Sequence, residues 1–151
     1  AGDTGKSQLK SLVERMLGSD NFIGIDLKEI EARFGTGAIY GTRLAGSSDM
    51  SFLSVDELRV FKKLTGSDSV YAEFKGQQPF EFVFNGALWF CMNRLPKFSG
   101  DNGLWVYNRI MTVHCPNVIP VEQQDKQLLD NILYSGVWTH LKKTKKKEVV
   151  Q

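Results

Sequence analysis

Ala87-Leu88-Trp89-Phe90-Cys91-Met92 is an uninterrupted apolar run that stops at Asn93. It constrains the fold more than any other segment. A strand with one wet face alternates apolar and polar residues. A continuous run of this length suits a strand covered on both faces, as in a parallel sheet. Parallel strands need long crossovers, usually helical, and helical spacing is present elsewhere in the chain. From Ser7 the apolar residues fall at Leu9, Leu12, Val13, Met16 and Leu17, with Gly18 as a natural stop. Asp26 can cap a second short helix running through Leu27, Ile30 and Phe34 to Gly35. Ser54-Val55-Asp56-Glu57 reads as a capping box that opens a helix with Leu58, Phe61 and Leu64 on one face. Residues 125–134 predict a further helix with Leu128, Leu129, Ile132 and Leu133 inside. Residues 38–47 and 105–113 predict short strands, and Gly100-Asp101-Asn102-Gly103 a loop. Helices alternating with buried strands give an α/β class.

One segment has a different period. Val70, Ala72 and Phe74 alternate with Tyr71, Glu73 and Lys75; beyond Gly76 a second alternation runs through Phe80, Phe82 and Phe84. Two such runs about a glycine-containing turn predict a β-hairpin.

The 151 residues suit one domain, and a 42 % hydrophobic fraction is enough for a core. The formal net charge is +2, but Lys142-Lys143-Thr144-Lys145-Lys146-Lys147 concentrates much of the positive charge. Without that run the chain is slightly acidic, so any basic binding surface must be local. Residues 135–151 read as a solvated basic tail that could add non-specific DNA affinity. Cys91 and Cys115 form no CxxC pattern, which argues against structural zinc, and both read as reduced thiols of a cytoplasmic chain. No apolar stretch approaches the roughly 20 residues of a membrane span. His114 reads as a packed or edge histidine rather than a base.

Gly5-Lys6-Ser7 stands directly before the first helical pattern, as at the end of a phosphate-binding loop, G-x-x-x-x-G-K-[ST]. Backbone N–H groups at a helix N-terminus receive phosphate oxygens. Lys6 would neutralise the β- and γ-phosphates of ATP, and the Ser7 hydroxyl would ligate Mg²⁺. The tripeptide is short, and a glycine-rich helix start with an exposed lysine is the plain alternative.

Several segments in order strengthen the functional reading. They are Gly5-Lys6-Ser7; Asp26-Leu27-Lys28-Glu29-Ile30 with Arg33-Phe34-Gly35; Ser48-Asp49; Phe61-Lys62-Lys63-Leu64-Thr65-Gly66-Ser67-Asp68; Ala72-Glu73-Phe74-Lys75 with Pro79-Phe80; Asn93-Arg94-Leu95-Pro96; and Arg109. Together they resemble the helicase domain of phage- and plasmid-type primase-helicases, within the superfamily-three AAA+ DNA helicases, from Ala1 to about Asp130. The resemblance implies a P-loop ATPase core: a mostly parallel sheet flanked by helices, with an inserted hairpin. It covers residues 1–134 as the core, with 135–151 as the tail. It also implies that the first strand and the opening of the loop lie before Ala1, so that weak ATP turnover is expected of the chain as it stands.

The resemblance assigns roles residue by residue. Asp49 matches the acid that holds Mg²⁺ through water and helps polarise the attacking water. The preceding Leu44-Ala45-Gly46-Ser47-Ser48 is less apolar than the family's usual strand, and a single Asp stands where many relatives have an acidic pair. Read alone, Asp49 is a loop or cap residue. Asn93 matches the family's sensor amide, poised at a strand tip where open α/β sheets bind ligands; alone, it is an Asn favouring the turn before Pro96. Arg109 matches the arginine finger, supplied to the neighbouring subunit's phosphates. Relatives often carry two adjacent arginines where this chain has Asn108-Arg109, and the plain alternative is an arginine on a strand edge. Lys62, Lys63 and Lys75 would follow the phosphates of single-stranded DNA without reading sequence.

The expected function is therefore an ATP-driven helicase motor in a phage, plasmid or mobile-element replication protein. It would act as a ring, expected to be hexameric, in the cytoplasm of a bacterial host. The alternative is a nucleotide-incompetent fragment that acts as a DNA-binding or assembly module. An unrelated P-loop kinase is disfavoured because no substrate-lid motif is present.

Overall fold

The computed structural model of the chain describes residues 2–50, 54–55, 58–98 and 104–134. The basic tail, Asp56-Glu57 and the 100–103 loop expected above lie outside the described residues. Along the chain run α1 (Lys6–Leu17), β1 (Phe22–Gly24), α2 (Leu27–Glu31), α3 (Gly35–Ala38), β2 (Leu44–Gly46), β3 (Ser54–Val55) and α4 (Arg59–Thr65). They are followed by β4 (Ser69–Ala72), β5 (Phe80–Val83), β6 (Ala87–Leu88), β7 (Lys97–Phe98), α5 (Leu104–Tyr107) and α6 (Leu128–Tyr134).

The chain is α/β, with a small parallel sheet in the order β1-β2-β6. Ile23 stands opposite Ala45, and Ala45 opposite Leu88. Pairing of β2 with β6 continues past the regular ladder. Trp89 N–H donates to Ala45 O at 2.9 Å, Cys91 N–H to Ser47 O at 2.8 Å, and a parallel bridge joins Met50 to Met92. The run 87–92 is thus the parallel strand that its composition predicts, but it is not covered on both faces. Ala87 is exposed, and Leu88, Trp89 and Phe90 are half-buried. The middle strand is the fully buried one: Leu44, Ala45 and Gly46 are all inside.

Gly46 explains why that strand is less apolar than expected. A Cβ built on it would lie 1.8 Å from Trp89 O, and its φ of +151° lies in the range that favours glycine. The small residues let β2 and β6 approach.

Two apolar clusters hold the layers together. One gathers Ile25, Ile30, Ile39, Ala45, Leu64, Val70 and Phe84; the other Leu27, Met50, Leu58, Phe61 and Val106. Leu88 and Phe90 pack against both. Burying each such side chain contributes about 1.5–3 kcal/mol before conformational entropy is charged against it.

The hairpin forms as predicted, with β4 antiparallel to β5 and Val70 opposite Phe82. Its inner face, Val70, Ala72, Phe80 and Phe82, turns toward the core. Thr36 Oγ1 donates to Tyr71 O at 2.6 Å, which docks the hairpin on α3.

Several boundaries differ from the sequence expectation. The helix after Asp26 is broken into α2 and α3. Its start is a capping box with Glu29, whose Oε2 accepts the Asp26 N–H at 2.8 Å. Ser54-Val55 does not cap a helix but pairs as a strand with Lys97–Phe98. The first turn of α4 is instead capped from α2, where the Glu31 carboxylate accepts Val60 N–H at 3.0 Å and Phe61 N–H at 2.8 Å. The strand expected over 105–113 is a short helix followed by extended, mostly exposed coil. Helical turns bring Val106 into the second cluster with Trp105 and Ile110 packed against it, a face that an alternating strand would split. In α6 no residue is fully buried, and Leu128 and Ile132 are exposed. That helix lies on the surface of α1, where Asp130 meets Arg15.

Candidate functional site

α1 begins at Lys6. Gly5 precedes it at φ +76°, and Asp3 is also left-handed, at φ +56°. A glycine takes this conformation without a Cβ penalty, so the chain turns sharply into the helix. The first turn of α1 has no acidic residue. The N–H groups of a helix's first turn have no intrahelical acceptor, and they carry the positive end of the helix dipole. Lys6 Nζ donates to Thr4 Oγ1 at 2.9 Å, so its side chain curls over the same turn.

Two bonds seat this turn on the sheet. Ser7 Oγ donates to Ser48 O at 2.9 Å, across 41 residues of sequence. The Cys91 thiol donates to Lys6 O at 3.6 Å. Ser48 immediately precedes Asp49, and Met50 bridges Met92, which immediately precedes Asn93. Lys6, Ser7, Asp49 and Asn93, drawn from three separate segments, therefore gather at the C-terminal ends of β2 and β6. Asp49 and Asn93 are exposed there. The Asp49 N–H donates to Ser47 Oγ at 3.3 Å, which helps to fix the turn at the strand end. Burial pushes the Cys91 thiol up from its ordinary pKa, outweighing a hydrogen bond with Trp89 and the pull of Lys10 and Lys6, so it is a neutral hydrogen-bond donor at pH 7.

The remaining predicted residues lie elsewhere. Arg109 Nη1 donates to Lys62 O at 3.3 Å and to Thr65 Oγ1 at 3.2 Å, at the C-terminal end of α4. Lys62 and Lys63 are exposed on the last turn of that helix, and Lys62 Nζ sits 5.4 Å from the centre of the Trp105 ring. Lys75 is exposed in the hairpin turn. Phe74, beside it, packs in an aromatic group, 5.4 Å from Phe80 and 6.4 Å from Tyr40 between ring centroids. A depression of about 370 Å³ lined by Tyr40, Thr42, Arg43, Phe82, Phe84 and Asn85 opens near the N-terminal ends of β2 and β6. It is therefore at the other end of the sheet from Lys6. His114 is exposed, and among the described residues no group of three or more His, Cys, Asp or Glu is placed to hold a metal.

Two features escape sequence reasoning. Lys10, which helical spacing places among solvated positions, is 1 % exposed and paired with Glu14, while Leu9 is 44 % exposed. Ile119, in the coil after α5, donates its N–H to Asp3 O at 2.8 Å, and its Cδ1 lies beside Gly5. Nothing local marks either. The periodicity of α1 points to Leu9 as core, and the 113–120 segment has no helical or strand pattern.

A family model described as a family of unknown function, DUF5906, matches residues 1–125. The match covers most of the chain, and the chain belongs to this family. No curated protein matches it significantly.

Proposed function

We propose that the chain is the ATPase core of a DNA helicase of the primase-helicase type, in which ATP bound at the Gly5-Lys6-Ser7 turn is hydrolysed against a neighbouring subunit. One observation carries the reading. The Ser7–Ser48 hydrogen bond joins the start of α1 to the end of β2, beside Asp49, with Asn93 on the next strand. Gly5-Lys6-Ser7 and the two residues that the resemblance nominates for metal and water contacts lie near one another, at the strand ends where ligands bind in open α/β sheets. The all-parallel order β1-β2-β6 agrees with such a core.

In this reading the first-turn N–H groups of α1 and the Lys6 ammonium receive the β- and γ-phosphates. The Ser7 hydroxyl and Asp49 carboxylate fit Mg²⁺, which takes one or two protein oxygens and otherwise keeps phosphate and water ligands. An ion held there would supply positive charge against the phosphates of the bound nucleotide. Asn93 orients a water without adding negative charge. That water forms the new P–O bond to the γ-phosphorus as the bond to ADP breaks, giving inorganic phosphate and one released proton. Arg109 offers its charge to the phosphates of the adjacent subunit. Lys62, Lys63 and Lys75 track the phosphates of single-stranded DNA about the hairpin.

The test is nucleotide binding, followed by a fluorescent ATP analogue with Mg²⁺, alongside turnover with and without single-stranded DNA. Lys6→Ala should weaken binding at least about tenfold, because a charge-assisted phosphate contact is lost. In the intact protein assembled on single-stranded DNA, Arg109→Ala should bind nucleotide normally and fail to hydrolyse it. Equal binding by the parent and Lys6→Ala would overturn the proposal. DNA binding without nucleotide binding would favour the assembly-module alternative.

A further inference from the structure

Arg109 is held by the end of one particular helix. Its Nη1 donates to Lys62 O and to Thr65 Oγ1 at the C-terminus of α4. That is the negative end of a helix dipole, where a cation is favoured. The Thr65 hydroxyl is itself fixed, donating to Phe61 O at 2.8 Å. Three residues upstream of Arg109, Val106 is 1 % exposed in the cluster that contains Met50 and against which Met92 packs, directly beneath the Asp49 and Asn93 strand ends. Three residues beyond Thr65, Asp68 leads straight into β4 of the hairpin. The α5–Arg109 segment is thus fastened at one end to the candidate phosphate site of its own subunit and at the other to the root of the hairpin.

We infer that Thr65 is a positioning residue: its hydroxyl, with Lys62 O, orients the Arg109 guanidinium toward the nucleotide of the neighbouring subunit and ties that orientation to the hairpin. This rests on the proposed function above. A guanidinium has five N–H donors in a rigid planar fork. The two bonds use one nitrogen and fix the plane, leaving donors to offer to a phosphate. A misplacement of about 1 Å at such a group can cost on the order of 100-fold in rate, so a seat of two bonds matters to turnover.

Two variants perturb the seat in different ways. Thr65→Val keeps the shape and removes the hydroxyl. Gly66→Ala keeps the hydroxyl but adds a Cβ 3.0 Å from Lys62 O and 3.3 Å from Arg109 Nη1. In the intact protein assembled on single-stranded DNA, each should lower kcat at least about tenfold, with nucleotide binding unchanged. Thr65→Ser should restore the parent rate. Subunit mixing identifies the side on which Thr65 acts. A Lys6→Ala subunit has a dead site and a sound finger, so mixing it with Thr65→Val should recover turnover, as mixing it with Arg109→Ala should.

Parent-like kcat in both Thr65→Val and Gly66→Ala overturns the inference. So does a Thr65→Val defect that Lys6→Ala subunits fail to rescue while they do rescue Arg109→Ala, because Thr65 would then serve its own subunit's site. If neither mixture recovers turnover, Arg109 does not act between subunits, and the underlying reading fails with it.

Discussion

Replacing Gly46 with Ala tests the closest approach in the sheet. The added Cβ would stand 1.8 Å from Trp89 O, 2.6 Å from Trp89 C and 3.0 Å from Trp89 N. Ordinary contact begins near 3.4 Å, so β2 and β6 would have to part by roughly 1.6 Å. The obstacle is backbone, so no side-chain rotation relieves it. Two flanking bonds stretch with the gap, from Trp89 N–H to Ala45 O and from Cys91 N–H to Ser47 O. Each contributes about 1 kcal/mol net, and overpacking a well-fitted interior adds about 1–3 kcal/mol. The expected loss is therefore about 3–5 kcal/mol, against a total of about 5–15 kcal/mol for a domain.

Urea unfolding of the two proteins at matched m-value measures the difference. Because β6 lies at the edge of the three-stranded sheet, the damage should concentrate there. Hydrogen exchange at the Trp89 and Cys91 amides should accelerate more than at Ile25, whose N–H bonds Gly46 O on the β1 side. A loss below about 1 kcal/mol, with Trp89 exchange unchanged, would refute the close-approach argument.

Three further outcomes follow from the geometry. Lys10→Ala should destabilise the chain by about 3 kcal/mol, since it strands the largely buried Glu14 carboxylate, whereas Lys10→Met with Glu14→Leu should be near neutral; unfolding curves of both variants check this. Arg33 bonds the Glu73 carboxylate through two nitrogens and holds it below its ordinary pKa, so this contact's small contribution is present above the ordinary glutamate range and lost as pH falls through the depressed value. Limited proteolysis of the hairpin should accordingly quicken on acidification, and Glu73→Gln should flatten that dependence. Native-state alkylation followed by mass spectrometry should label half-buried Cys115 before Cys91, whose thiol is buried and raised in pKa; preferential labelling of Cys91 would contradict its placement.

What the sequence disclosed follows from the range of the forces involved. The hairpin, α1 with its stop at Gly18, and the parallel character of 87–92 are written in local period and composition, and these appear in the structure. The cap of α4 is not local, because Glu31 reaches it from another helix, so Ser54-Val55-Asp56-Glu57 offers a plausible but unused signal. The 105–113 segment misleads because its apolar residues satisfy either period, and tertiary burial of Val106 decides for helix. The expected inside face of α6 fails for a similar reason. An amphipathic pattern shows which face could be covered, and only the fold shows how fully α1 covers it. For the candidate site, only Gly5-Lys6-Ser7 carries a local signal; Asp49 and Asn93 are nominated by the resemblance alone, and their nearness to Ser7 depends on strand order and crossover geometry.

The strand that runs from the hairpin to Asn93 is held at both of its own ends. At its start, a Cβ on Gly86 would lie 2.4 Å from the Phe84 ring and 2.9 Å from Arg43 O. Phe84 is buried in the first cluster, and Ala87 N–H bonds Arg43 O at 2.9 Å. At its far end, β6 is held by the Gly46 approach and the Met50–Met92 bridge, next to Asn93. The hairpin joins this strand through residues 84–86, of which Phe84 is buried in the first cluster. Sliding β6 along β2 would break the bonds from the Ala87, Trp89 and Cys91 N–H groups to Arg43 O, Ala45 O and Ser47 O, so a force on the hairpin meets resistance along the whole pairing. The proposed motor needs such a connection, since a DNA-contacting element that yielded locally could not respond to events at the phosphate turn. The glycines at 46 and 86 permit the close contacts in which those bonds form, because a side chain at either position would meet the backbone of the facing segment.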